Sequence, residues 1–193
     1  VVALNWNVLA VDPGPFTERL AVRRGLMREA RSSAPASLTA DGQRGSILIV
    51  AGSATPVTKK QLQYLIANDA RVCHIPVDAE LLVDRKNAAE IEVNRVVQHA
   101  RQCVPAQHNA LFVFGSAWTG RLLNLQEEEQ RFGLAYGEAA QNINHGLGSI
   151  VREVLNCASG EIKGLYMTGG DTMVNVLKEL GATGIEMIDY VIP

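Results

Sequence analysis

Short apolar runs and longer helical patterns alternate along the chain. The runs VVALNWNVLAV (1–11), SILIVAG (46–52), RVCHIPV (71–77), ALFVFG (110–115), GLYMTG (164–169) and IEMIDYVI (185–192) are rich in Val, Ile, Leu and Phe. Several lack polar alternation, which is the pattern of a strand buried on both faces. Between them, residues 16–33 read as a basic amphipathic helix. Residues 55–69 predict a second, with Thr55 as N-cap and Pro56 at the first helical position. Within 84–104, Ala89, Val93, Val96, Val97, Ala100 and Val104 share one helical face. Residues 126–156 predict one long helix or a pair. Ile143, Leu147, Ile150, Val151 and Val154 form its stripe, and Gly146 and Gly148 mark a close packing point or a break. Residues 171–180 predict the last helix, with Gly181 as its C-cap.

This alternation implies right-handed crossovers between parallel strands. The expected fold is therefore α/β, a three-layer Rossmann-like arrangement with a mainly parallel sheet and helices on both faces. The 193 residues suffice for one domain, 1–193. RSSAPASLTADGQRG (31–45) reads as an internal linker behind an N-terminal strand–helix unit. VDPGPFT (11–17) reads as a rigid turn releasing into a helix capped by Thr17.

In open α/β sheets, ligands bind beyond the carboxyl ends of the strands. Two such ends have unusual composition. In VAGSATPVT, Gly52 lets a ligand approach the backbone, while Ser53, Thr55 and Thr58 supply hydroxyls beside a helix N-terminus. Taken alone, these residues read first as a capped βα turn, a common arrangement. In GLYMTGGDTMVNVLKELGATGIEM, the apolar run stops at Gly169 and Gly170 before a helix opens at Asp171 and Thr172. Adjacent glycines expose backbone N–H groups, which suits an anion such as a nucleotide phosphate. Asp171 reads as the N-cap, with a carboxylate able to hold a water of a phosphate-bound Mg²⁺. Thr172 reads as a donor to phosphate oxygen. Ser116, after a buried strand, is a further candidate at the same edge, as is Thr119, although a simple loop is the first reading of GSAWTGR (115–121).

Charge narrows the partners. The formal net charge is −2, with both signs interspersed and 20% of residues charged. No Lys/Arg stripe points to nucleic acid or a membrane surface. No apolar run approaches the roughly 20 residues of a membrane helix, and no signal peptide is visible. Cys73, Cys103 and Cys157 lie in apolar periodic segments without a CxxC pair. They read as buried free thiols in a reducing, cytoplasmic setting. His74, His99, His108 and His145 are scattered, so no metal site is expected. QEEEQ (126–130) reads as a solvated helix face. Neither a G-x-x-x-x-G-K-[ST] loop nor a G-x-G-x-x-G fingerprint is present, and no nucleophile elbow supports Ser/His/Asp chemistry. Val1 in place of an initiator Met, with strand-like patterns at both ends, suggests a piece of a longer protein.

Three segments taken in order, VDPGPFTERL, VAGSATPVTKKQL and GLYMTGGDTMVNVLKELGATGIEM, resemble the C-terminal nucleotide-binding region of the four-carbon acid sugar kinases, the threonate/erythronate kinase group. The resemblance covers most of the chain. It implies ATP-dependent phosphorylation of a four-carbon sugar acid, with ATP and Mg²⁺ as cofactors. It also implies that Ser53, Gly169, Gly170, Asp171 and Thr172 contact the nucleotide. Thr55 stands where the family commonly has Ser. The family's sugar-acid domain, with its catalytic base, and a second glycine-rich loop of the Gly-Gly-Phe-Gly type would lie outside these residues, so the chain alone is expected to be inactive. A homo-oligomer is left open. Two other functions are weighed against the kinase: a non-catalytic nucleotide or sugar-phosphate binding domain, and an NAD-dependent oxidoreductase disfavoured by the missing fingerprint.

Overall fold

A computed structural model describes residues 15–27, 45–103, 110–115, 123–158 and 160–186. In chain order its elements are α1 (Pro15–Arg23), β1 (Ser46–Ala51), α2 (Pro56–Asn68), β2 (Val72–Pro76), α3 (Ala79–Val83), α4 (Ala89–Cys103), β3 (Leu111–Gly115), α5 (Leu125–Phe132), α6 (Glu138–Cys157), β4 (Ile162–Thr168) and α7 (Gly170–Glu179). The chain divides into two compact units, 1–41 with 187–193, and 42–186. Of the first, the described part is α1 and the turn after it. The second holds the sheet.

The four strands run parallel in the order β2–β3–β1–β4. Their apolar residues alternate between faces. Leu48 and Val50 of β1 pack on one side with Leu82, Val96, Leu147, Ile150, Val151 and Val176, from α3, α4, α6 and α7. Ile49 and Ala51 pack on the other with Val113 and with Leu62 and Leu65 of α2. This is the expected three-layer α/β architecture. Phe112 and Phe114 of β3 are wholly buried, each contributing about 1.5–3 kcal/mol relative to exposure.

The predicted strands at 46–52, 71–77, 110–115 and 164–169 correspond to β1–β4. Ile185 and Glu186 are not in a strand; the rest of that predicted strand, the one at 1–11, and the linker but for Gly45 lie outside the described residues. The helix predicted at 16–33 is shorter and begins at Pro15 rather than at a Thr17 cap. It ends at Arg23 because Gly25 takes a left-handed φ of 70°. There the Leu26 N–H reaches Ala21 O at 2.9 Å and the Gly25 N–H reaches Val22 O at 3.0 Å, a Schellman stop. The pattern at 84–104 begins with a turn, so its helix starts at Ala89. Before it, α3 is capped by Asp78, whose carboxylate accepts from the Glu80 N–H. The 126–156 region is a pair, α5 and α6. Gly146 and Gly148 are close packing points: a Cβ on Gly146 would meet Leu82 Cδ2 at 2.7 Å, and one on Gly148 would meet Glu179 Cγ at 2.7 Å.

Three local expectations are corrected. Cys73 and Cys103 form a disulfide rather than two free thiols, because β2 and α4 bring their Cα atoms to 6.7 Å across 30 residues of sequence. Cys157 is free but exposed, and its Sγ accepts from Arg101 Nε and Nη2 at 3.0 and 2.7 Å. Within QEEEQ, Glu129 is buried. Its Oε1 accepts from the N–H groups of Gly137 and Ala139 at 2.8 and 3.4 Å, supplying the N-terminus of α6 with an acceptor from another helix.

Among the described residues Glu92 is the other buried carboxylate, and its sequence pattern did not mark it. It accepts from the Asp78 N–H at 2.7 Å and from both Nε and Nη2 of Arg95, each at 2.7 Å. Arg95 Nη2 also donates to Pro76 O at 2.7 Å, joining α4 to the end of β2. The Glu92 carboxylate holds the Arg95 guanidinium more firmly protonated than usual.

Candidate functional site

β1 and β4 are adjacent, but their following helices leave to opposite faces. α2 packs over Ile49 and Ala51, whereas Val176 of α7 joins the Leu48–Val50 side. Loops that part in this way open a crevice beyond the carboxyl ends of the two strands, the topological switch point of an open sheet. The two stretches with unusual composition form its two sides.

On one side, Ser53, Thr55 and Thr58 draw their hydroxyls together. Thr55 is the N-cap of α2, and its Oγ1 accepts from the Thr58 N–H at 3.3 Å. Thr55 Oγ1 and Thr58 Oγ1 lie 3.0 Å apart, while Thr58 Oγ1 donates to Ser53 Oγ at 3.4 Å. Pro56 supplies no N–H at the first helical position, so the cluster presents oxygens as well as the dipole of α2.

On the other side, Gly169 is the N-cap of α7, with φ 104° and ψ 119°. That left-handed φ suits glycine. Asp171 is not the cap, as the sequence had suggested; it lies one residue inside the helix with an exposed side chain. The first helical bond runs from the Met173 N–H to Gly169 O at 2.9 Å. The N–H groups of Gly170, Asp171 and Thr172 therefore precede it without intrahelical acceptors. Among the described residues, a Cβ on Gly170 would find nothing within 4 Å.

The two sides touch. The Gly52 N–H donates to Thr168 O at 3.2 Å. A Cβ on Gly169 would lie 3.4 Å from Ser53 N. A Cβ on Gly52 would lie 1.9 Å from Thr172 Oγ1, so Gly52 makes room for Thr172. Thr172 itself is 2% exposed, and its hydroxyl donates to Asn144 Oδ1 of α6 at 2.7 Å. The sequence suggests that this hydroxyl donates to phosphate, but in the structure its proton goes to Asn144. Asn144 carried no sequence signal, because its partner stands 28 residues away on another helix. The structure thus brings together Gly52, Ser53, Thr55, Thr58, Gly169, Gly170, Asp171 and Thr172. Ser116 and Thr119 lie outside the described residues. Among the described residues no cluster of three His, Cys, Asp or Glu side chains is placed to hold a metal ion.

An open α/β domain with adjacent glycines at a strand-to-helix turn beyond its strand ends is of the class that receives ligands there, and comparison with known proteins narrows the class. Residues 48–193 match the family described as nucleotide-binding C-terminal domain. The chain is 35% identical over 190 residues to the D-erythronate kinase of Heliobacterium modesticaldum, covering 97% of this chain and 39% of that protein. It is 27% identical over 154 residues to the D-threonate kinase of Salmonella typhimurium, covering 79% of this chain and 35% of that protein. The chain therefore belongs to the nucleotide-binding C-terminal domain family of the four-carbon acid sugar kinases. It spans well under half the length of either relative. No helix of the described residues is long and apolar enough to cross a membrane.

Proposed function

We propose that this chain is the nucleotide-binding part of an ATP-dependent kinase that phosphorylates a four-carbon sugar acid of the threonate or erythronate type. The observation that carries the reading is that, among the described residues, nothing fills the space over Gly170 at the N-terminus of α7, beyond the carboxyl ends of β1 and β4. Free N–H groups at the positive end of a helix favour a phosphate. The N–H groups of Gly170 and Asp171 hold the nucleotide's phosphates, and Ser53, with Thr55 and Thr58, orients it from the β1 side. Thr172 acts from beneath, holding the first turn of α7 in place.

The residues suit a Mg²⁺ that arrives on the nucleotide rather than one caged by protein. Asp171 is exposed at the corner, within the setting where a carboxylate holds a metal-bound water. When bound, Mg²⁺ supplies neutralisation of phosphate charge. The sugar acid and the group that activates its hydroxyl belong to a region that these residues do not include. Phosphoryl transfer depends mainly on positioning and charge stabilisation, and this part of the protein supplies the nucleotide's share of both.

A panel of ATP, ADP and NAD, each with and without Mg²⁺, followed by thermal shift and calorimetric titration, tests the reading. Saturable stabilisation by ATP and ADP that is lost in Gly170→Val is expected. Stabilisation by NAD alone would replace the kinase reading with an oxidoreductase. Nucleotide binding without phosphorylation of threonate or erythronate by the intact protein would leave a non-catalytic binding domain.

A further inference from the structure

The Thr172 hydroxyl lies where both turns of the crevice meet. The Cβ that Gly52 lacks would overlap it, and the Cβ that Gly169 lacks would lie 3.1 Å away. Its orientation is set from a third element. Asn144 Nδ2 donates to Ala140 O of its own helix at 3.0 Å, which turns Oδ1 toward Thr172. One amide thus uses its donor to anchor itself on α6 and its acceptor to hold the first turn of α7.

We propose that Asn144 is a positioning residue for the nucleotide site. Acting through Thr172, it fixes the spacing between the Gly52–Ser53 turn and the Gly169–Gly170 turn. This deepens the nucleotide reading and rests on it for its consequence in binding. The geometry explains the choice of residue. Aspartate would accept from Thr172 but could not donate to Ala140 O, and it would set a negative charge below the N–H groups that face the anion. A hydrophobic side chain would leave the buried Thr172 hydroxyl without its acceptor. Without that acceptor the first turn of α7 is free to shift, and the Gly170 and Asp171 N–H groups lose their common aim.

The test compares Asn144→Ala, Asn144→Asp, Thr172→Val and Thr172→Ser in the intact protein. The first readout needs no ligand: hydrogen exchange at the Gly52 amide, bonded to Thr168 O, and at the Met173 amide, bonded to Gly169 O. Asn144→Ala and Thr172→Val are expected to speed both at least about tenfold, leaving the Ile75 amide in β2 unchanged. The second readout is titration with Mg·ATP. Affinity is expected to fall about tenfold or more in Asn144→Ala and Thr172→Val, further in Asn144→Asp, and to stay within about threefold in Thr172→Ser, which keeps the hydroxyl.

A lowered melting temperature with unchanged exchange at both amides and unchanged ATP affinity of the folded protein would reduce Asn144 to a packing residue and overturn the proposal. If Asn144→Ala fails to fold, Thr172→Val against Thr172→Ser decides by the same two readouts. If the wild-type protein binds no ATP, the nucleotide reading fails by itself. The exchange arm then decides whether Asn144 sets the spacing of the turns.

Discussion

Gly170→Ala separates folding from ligand binding by the sign of its two effects. Gly170 opens α7 without a positive φ, and nothing among the described residues lies within 4 Å of its missing Cβ. Alanine fits there without strain and restricts the unfolded chain, a gain of about 0.4–1 kcal/mol. At about 2–4 °C per kcal/mol for a chain of this size, the ligand-free melting temperature is expected to rise by about 1–4 °C. Binding should move the other way. Helical Cα–Cβ bonds tilt toward the helix N-terminus, so the new methyl projects into the space where a phosphate would approach. Losing one charge-assisted hydrogen bond costs about 1.5–3 kcal/mol, which is about 10- to 150-fold in affinity at about 1.4 kcal/mol per factor of ten. Differential scanning calorimetry without ligand and isothermal titration with Mg·ATP measure the two. A raised melting temperature with unaltered ATP affinity would show that the anion does not sit over Gly170, and the argument from the open corner would fail.

Gly52→Ala should destabilise without any ligand, because its Cβ would fall 1.9 Å from Thr172 Oγ1. Overpacking at about 1–3 kcal/mol plus a lost hydrogen bond at about 1 kcal/mol is readable in urea melts, and a second change, Thr172→Ala, should recover part of it. Arg95→Ala leaves the wholly buried Glu92 without its half-exposed cation and should cost about 1.5–3 kcal/mol in the same melts. Burial pushes the His74 imidazole below its usual pKa, so the folded state favours neutral His74 while the unfolded chain takes up the proton. That contribution is intact above the usual imidazole value of about 6.5 and is lost as pH falls through it. Urea midpoints from pH 7.5 to 5 should decline less steeply in His74→Phe than in wild type; equal slopes would remove His74 from the account.

Much of this was legible from apolar periodicity. A strand buried on both faces carries few polar residues, so the runs at 46–52 and 110–115 stood out, and the stripe of α6 follows the 3.6-residue repeat. Thr55 with Pro56 fixed the start of α2 because both residues act locally. What was not legible is held by partners remote in sequence. The carboxylates of Glu92 and Glu129 look solvent-seeking until Arg95 and the start of α6 are brought to them. Cys73 and Cys103 pair only because a strand lies beside a helix. At the candidate site, the glycines and hydroxyls were visible as composition, but the division of work between Asp171 and Thr172 was not. That division depends on Asn144 reaching across from α6.

The three glycines of the crevice show how a fold's requirement can be told from a ligand's. Gly52 is demanded by packing, since Thr172 fills the place of its Cβ. Gly169 is demanded by backbone conformation, since its φ of 104° is poor for any residue with a side chain. Gly170 meets neither demand. Its backbone accepts a side chain, the described residues leave room for one, and glycine at an exposed helical position is less stable than alanine. Among the described residues, the fold itself therefore does not require glycine at this position. The position borders the space in front of three N–H groups with no intrahelical acceptor, beside three clustered hydroxyls, in the crevice between two diverging loops. On the proposed reading an anion of nucleotide size would account for Gly170 and for that setting together, whereas a capped turn accounts only for Gly169.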